Sequence, residues 1–169
     1  MPAQTASRTR KVKKTTTAKS AARPAAKKTA RKASIAQASD PTLPQIIDPG
    51  WAWDDKLPLA QAKQIGNMIY VSGQVAFNPD GKLVGKGNIK AQTRQVFRNI
   101  KAILAAAGAK MEHIIKINTY ITDASKFMDM LEARGDVFGD NPPASTAVVV
   151  AGLAFPGLLI EVEAIAVKP

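Results

Sequence analysis

Hydrophobic and polar positions change their period along this chain, and each change marks a predicted element. Gly66-Asn67 separates two short apolar stretches, and Met68-Ile69-Tyr70-Val71-Ser72 reads as a strand. Asn78-Pro79-Asp80-Gly81 is a turn: Pro sets φ, Asn and Asp bond locally, and Gly takes the positive φ. From Asn88 the period becomes helical. Val96, Ile100, Ile103, Leu104 and Ala107 share one face, and Arg94, Arg98 and Lys101 fall off it. The helix is predicted to start on an Asn88 cap, run to about Ala107 and end at Gly108. Over residues 114–121 the period is two, with Ile115, Ile117, Thr119 and Ile121 opposite Lys116, Asn118 and Tyr120. Asp123 is placed to cap a second helix that buries Phe127, Met130, Leu131 and Phe138, and Asn141-Pro142-Pro143 stops it. Residues 146–151 and 158–167 close the chain as strands. The order β-β-α-β-α-β-β predicts an α/β domain of the α+β kind, a two-layer sandwich with its helices on one sheet face.

The last strand carries an anomaly. Ile160, Val162, Ala164 and Ala166 point one way, while Glu161 and Glu163 both point the other. Such a pair is either a solvated or interfacial face, or a carboxylate set in a cleft.

Charge divides the chain more sharply than periodicity does. Residues 1–39 hold eleven Lys or Arg and no acidic residue, whereas residues 40–169 hold thirteen basic and thirteen acidic ones. The net charge of +11 therefore describes an appendage, and the body is formally neutral. The large apolar residues of that tail are Met1, Val12 and Ile35 alone. Ordering a backbone costs roughly 1–2 kcal/mol per residue, so the tail is expected to be disordered. Residues 40–50 read as a turn-rich linker, and residues 51–169 as one domain. Trp51 and Trp53 are expected to pack the linker onto the body.

The chain has no Cys and a single His, His113, which reads as a surface residue. These counts remove a disulfide framework, a thiolate site and a Cys nucleophile, and no metal or cofactor is expected. Gly81, Gly85 and Gly87 lack the spacing of a phosphate-binding loop. No apolar run approaches the roughly 20 residues of a membrane span, and the N-terminus lacks the apolar core of a secretory signal. The expected location is cytoplasmic, or mitochondrial if the acid-poor tail is a transit peptide.

Three stretches resemble one known family. Gly66 to Gln74 resembles the strand G-(D/N)-x-(I/V)-(F/Y)-x-S-G-Q of the RidA (YjgF) family. Thr93 to Gly108, with Gln95, Asn99, Ile100 and Leu104, is similar to its first helix. Asn141-Pro142-Pro143-Ala144, followed by residues 158–166, resembles its C-terminal signature. The resemblance implies a chorismate mutase-like fold and a homotrimer with a central barrel and a small-molecule cleft between neighbouring subunits. A strand apolar on both faces, Ala147-Val148-Val149-Val150, suits such an assembly, because a bare sheet face would otherwise expose it.

The best-known members of that family hydrolyse enamines or imines, such as 2-aminoacrylate, to keto acid and ammonia. Carried over position by position, the resemblance makes Glu161 the catalytic carboxylate near the attacking water. It makes Ser72, Gly73, Leu59, Ser145 and Thr146 the substrate-binding residues. The pattern departs at three places. Ser145 stands where the active members carry a carboxylate-clasping Arg, Leu59 where they carry a Tyr, and Ala147 where a Cys is common. Loss of a charge-assisted bidentate contact costs roughly 2–5 kcal/mol. Standard 2-aminoacrylate deaminase activity is therefore not expected. The readings that stay open are a hydrolase of changed substrate and a non-catalytic trimer that binds a metabolite or a partner.

The tail phrases resemble the Lys- and Ala-rich tails of linker histones, and Lys11, Lys13, Lys14, Lys27, Lys28, Arg31 and Lys32 are the candidate nucleic-acid contacts. A transit peptide and a passive extension are the other readings. With no aromatic residue in the tail, nucleic-acid binding would be electrostatic rather than by base stacking. The full chain is expected to bind duplex DNA without sequence preference, and a version lacking residues 1–39 is not. Each phosphate contact adds a log–log salt slope of about −0.9, so affinity should collapse between roughly 50 and 200 mM salt. Equal affinity of the two versions in a fluorescence-anisotropy titration would refute tail binding.

Overall fold

A computed structural model describes residues 43–51, 53 and 57–169, and the proposed DNA contacts in the tail lie outside the described residues. Six strands and two helices follow one another as β1 (Gln45–Ile47), β2 (Ala62–Ile65), β3 (Met68–Val75), α1 (Ile89–Ala106), β4 (Ile114–Ile121), α2 (Phe127–Phe138), β5 (Ala144–Val149) and β6 (Ile160–Val167). They form one mixed sheet in the order β1-β2-β3-β6-β4-β5. The β4–β5 pair is parallel, and every other pair is antiparallel. The last strand thus lies between β3 and β4, and β5 forms an edge. The α+β class read from the periodicity is the observed one. No helix among the described residues is long and apolar enough to cross a membrane.

Helix α1 forms as its pattern requires. The Asn88 side chain accepts a hydrogen bond from the Ala91 N–H, satisfying one of the unpaired donors of the first turn. Val96, Ile100, Ile103 and Leu104 are fully buried against the sheet. Gly108 ends the helix in the left-handed region at φ 71°, where a Cβ would be strained. In β6, Ile160, Val162, Ala164 and Ala166 supply the matching buried surface.

Several expectations need correction. Part of the stretch read as a linker adds β1 to the sheet, with Ile47 in register with Ala62. Ile115 is half exposed instead of sharing the face of Ile117, because the β4–β6 register shifts between Ile114 and Lys116. The shift hands the buried position to Ile114. Asp123 caps a short 3-10 turn, Ala124–Lys126, rather than α2 itself. Phe127 therefore opens α2 at its exposed end rather than on its buried side. That helix stops at Gly139, two residues ahead of the Asn141-Pro142-Pro143 run. Strand β5 begins two residues earlier than the pattern suggested, and β6 two residues later.

Buried amides tie the helix layer to the loops beside β3 and β6. Asn99 Nδ2 donates to the carbonyls of Val75 at 3.0 Å and Phe77 at 2.8 Å, and its Oδ1 accepts from Gln95 Nε2 at 2.7 Å. Gln92 Nε2 donates to the carbonyls of Gly157 at 2.8 Å and Gly85 at 3.2 Å, while its Oε1 accepts from Leu159 N at 2.8 Å. One side chain thus holds both sides of the loop that leads into β6. Trp51 is buried and stacks on Trp53, whose ring meets Phe77 edge-on.

Replacing Asn99 by Leu removes three buried hydrogen bonds at once, to the Val75 and Phe77 carbonyls and from the Gln95 amide. Asn99→Leu is expected to lower stability by roughly 2–3 kcal/mol. The exposed Lys101→Ala should change it by less than about 0.5 kcal/mol. Urea unfolding midpoints of the two variants check this, and equal midpoints would show that the amide network is not structural.

Candidate functional site

Alternation on β6 decides where the carboxylates lie. The buried side chains of β6 face the helices, so Glu161 and Glu163 emerge on the opposite, open face of the sheet. Tyr70, Val148 and Ile46 are exposed on that same face. A depression of about 190 Å³ sits there, lined by Tyr70, Lys116, Asn118, Glu163 and Ile165 among others.

The two carboxylates have different surroundings. Glu163 Oε1 accepts hydrogen bonds from Asn118 Nδ2 at 2.7 Å and the Tyr120 hydroxyl at 3.2 Å. Burial pushes the Tyr120 hydroxyl pKa up, and the negative Glu163 beside it pushes the same way. Burial and then repulsion from Glu163 raise the Glu161 carboxyl above its usual 4.5. The rise makes Glu161 a better proton acceptor than an ordinary carboxylate.

Residues 72 and 73 make room for it. The β3–β6 register shifts between Val71 and Gln74, so Ser72 and Gly73 form the irregular step opposite this part of β6. A Cβ at Gly73 would overlap Glu161 Oε1 and lie 2.9 Å from its Cδ. The Ser72 hydroxyl donates to the Ala60 carbonyl at 2.7 Å, and the Ser72 N–H donates to Gln61 at 3.0 Å. These bonds hold the exposed Leu59 stretch against the bulge. Leu59, Ser72, Gly73 and Glu161 thus form one neighbourhood.

Ser145 belongs to another, whereas Thr146 lies in the row of Asn118 and Glu163 on the open face. Ser145 ends the register row Val71, Ala164, Ile117, Ser145, which faces the helices. Glu161 lies in the row of Tyr120 and Val148, which faces the open side. Two strands and three residues separate them, roughly 14 Å between Cα atoms at ~4.8 Å per strand and ~3.3 Å per residue. Within one chain these residues stand on opposite faces of the sheet and cannot touch one small molecule together.

The sequence reading missed the group that occupies the Ser145 position. Arg134 Nη1, from α2, donates to Ser145 Oγ at 2.8 Å. On the other face Lys116 Nζ donates to Thr146 Oγ1 at 2.7 Å. The only hint in the sequence was a lone cation among the acids of α2, and nothing local said that it meets β5. His113, read as a surface residue, is largely covered and accepts from Lys110 N through Nδ1 at 3.1 Å, a local cap.

Comparison with known proteins identifies the family of the chain. The family model described as Endoribonuclease L-PSP matches residues 54–168. A RutC family protein of Pyrococcus abyssi is 43% identical over 111 residues, covering 66% of this chain and 87% of that protein. The chain belongs to the RidA (YjgF) family. A 2-iminobutanoate/2-iminopropanoate deaminase of Dermatophagoides farinae is 34% identical over 110 residues, covering 65% of this chain and 85% of its own length. Among solved structures, RidA of the Antarctic bacterium Psychrobacter matches with a TM-score of 0.61 and 39% identity, over 65% of this RidA-family chain and 88% of that one.

The charge of Glu163 is one of the two causes of the raised Glu161 value. Neutralising it removes a penalty on ionising Glu161, so Glu163→Gln should lower the Glu161 pKa towards 4.5. Carboxyl-carbon NMR titration reads the shift directly. An unchanged or higher Glu161 pKa in the variant would contradict the coupling.

Proposed function

We propose that this chain forms a homotrimeric small-molecule hydrolase that acts on imine- or enamine-like metabolites in a cleft between copies. The observation that carries this reading is the separation of the two half-sites. Glu161 with Ser72 and Gly73 lies on the open sheet face, and Ser145 lies at the β5 edge on the other side. A neighbouring copy that brings its β5 edge over the Glu161 half-site completes one cleft and also covers exposed Tyr70 and Val148. The similarity to an iminobutanoate/iminopropanoate deaminase supports the reaction class.

The chemistry asks for one well-placed base. Water attacks the imine carbon while Glu161 takes one of its protons and passes it to nitrogen. The remaining hydroxyl proton then follows to nitrogen by the same carboxylate, the C–N bond breaks, ammonia leaves and the keto product forms. A carboxylate whose pKa is raised towards neutrality is better matched to this shuttle. Gly73 permits the carboxylate its position. Neutral Ser145 cannot itself clasp a substrate carboxylate as a strand-borne Arg would, so any such clasp has to come from another cation.

Keto-acid release from dehydratase-generated imines, taken with sedimentation, tests the proposal. Glu161→Gln should lower turnover by roughly 10²- to 10⁴-fold, the usual contribution of a positioned acid–base group. Gly73→Ala should lower turnover by displacing the Glu161 carboxylate, with little loss of stability because a flexible side chain gives way. The protein should sediment as a trimer at micromolar concentration. A stable monomer, or full activity in Glu161→Gln, would overturn the reading. Ligand binding without turnover in the unaltered protein would leave a non-catalytic binding trimer in its place.

A further inference from the structure

We infer that Arg134 is the ligand anchor of the β5 half-site and that it takes the carboxylate of a small keto or imino acid. The inference rests on the reading above, in which the Ser145 and Glu161 half-sites meet in one cleft.

The cations of the helix layer are not equivalent. Lys90 and Arg94 project from α1 towards α2. Lys90 Nζ lies 2.7 Å from Glu132 and 3.3 Å from Asp129, and Arg94 Nη2 lies 2.8 Å from Asp136. These contacts engage all three acids of α2. Arg134, the only basic residue of that helix, turns instead to the sheet edge. Among the described residues no carboxylate lies within 4 Å of its guanidinium, and its side-chain hydrogen bond there goes to the neutral Ser145 hydroxyl. Arg134 is partly covered as a residue, and its bond to the exposed Ser145 lies at the accessible edge of the sheet.

Geometry selects the ligand. Nη1 is committed to Ser145 Oγ, which accepts that bond and keeps its own proton free to donate. The Nε–Nη2 edge of the guanidinium then remains as a planar fork, the shape that pairs with both oxygens of a carboxylate. Ser145 therefore acts as a positioning residue, and Arg134 supplies the charge that residue 145 lacks. The cation reaches in from α2 rather than from β5. Affinity for carboxylates and turnover of the smallest substrate are accordingly separate quantities. The first depends on Arg134, and the second on whether the reacting carbon of the held molecule meets Glu161.

Calorimetric titration of the full-length oligomer with 2-oxobutanoate and with its neutral amide, 2-oxobutanamide, tests this. The unaltered protein should bind the acid at least about tenfold more tightly than the amide. Arg134→Met should weaken the acid by roughly 10- to 100-fold and leave the amide unchanged. Arg134→Lys keeps the charge but loses the fork, and should fall between the two. Glu161→Gln should still bind the acid while losing turnover. If Arg134→Met binds the acid as the unaltered protein does, Arg134 is not the anchor, and the hydrolase reading stands. If Arg134→Met and Arg134→Lys both weaken the acid and the amide alike, the residue has a folding role and the assignment is overturned. If the unaltered protein shows no preference for the acid over the amide, the anchor fails without reference to any variant. Binding of neither probe removes the anchor and the small-molecule cleft together.

Discussion

Strand β6 lies between β3 and β4 under a layer of helices, and its period-two alternation divides the chemistry of the molecule. Four apolar side chains of β6, Ile160, Val162, Ala164 and Ala166, are taken by the helix layer, and both of its carboxylates are driven to the open face. The helix layer fixes which way the strand faces, because a one-residue slip would put Glu161 and Glu163 beneath α1 and expose Val162 and Ala164. The same pairing carries over to the neighbouring strands. Register through β4 sets Tyr120 and Asn118 beside the glutamates and turns Ser145 to the opposite side. The separation of Glu161 from Ser145 follows from this strand more than from any local feature around either residue.

Electrostatics act on that frame in two steps. The acids of α2 are engaged by Lys90 and Arg94 of α1. Exposed pairs of this kind add little to stability, typically under about 1 kcal/mol each. Their consequence here is directional, since they hold the acidic face of α2 towards α1 and leave Arg134 over β5. On the open face the two glutamates have unequal partners. Asn118 and Tyr120 satisfy Glu163, while Glu161 keeps a raised pKa from burial and from its neighbour's charge. The bulge at Ser72-Gly73 gives the carboxylate its space.

Much of the fold was legible because its signals are local and repeated. Helix α1 shows five apolar positions on one face, an Asn cap and a terminal Gly, all in agreement, and it forms between those limits. The misread positions are those where a neighbour overrules the local pattern. Ile115 continues a perfect alternation, yet a register shift against β6 hands its place to Ile114. Gln45–Ile47 lies among turn residues and pairs only because the edge of β2 is available to it. Phe127 loses its buried place because Asp123 starts a 3-10 turn that delays the helix.

The sequence by itself determined the two-layer class, the two faces of β6, the neutrality of the body and the absence of a strand-borne Arg at residue 145. Period and residue type are properties of consecutive positions, so a linear reading reaches them. Tertiary structure alone decided that Gly73 lies against the Glu161 carboxylate, that Glu161 and Ser145 stand on opposite faces, and that a helix cation eleven residues earlier meets the Ser145 hydroxyl. Those contacts join distant parts of the chain through strand register and helix packing. Register depends on how two surfaces fit rather than on the order of residues in either.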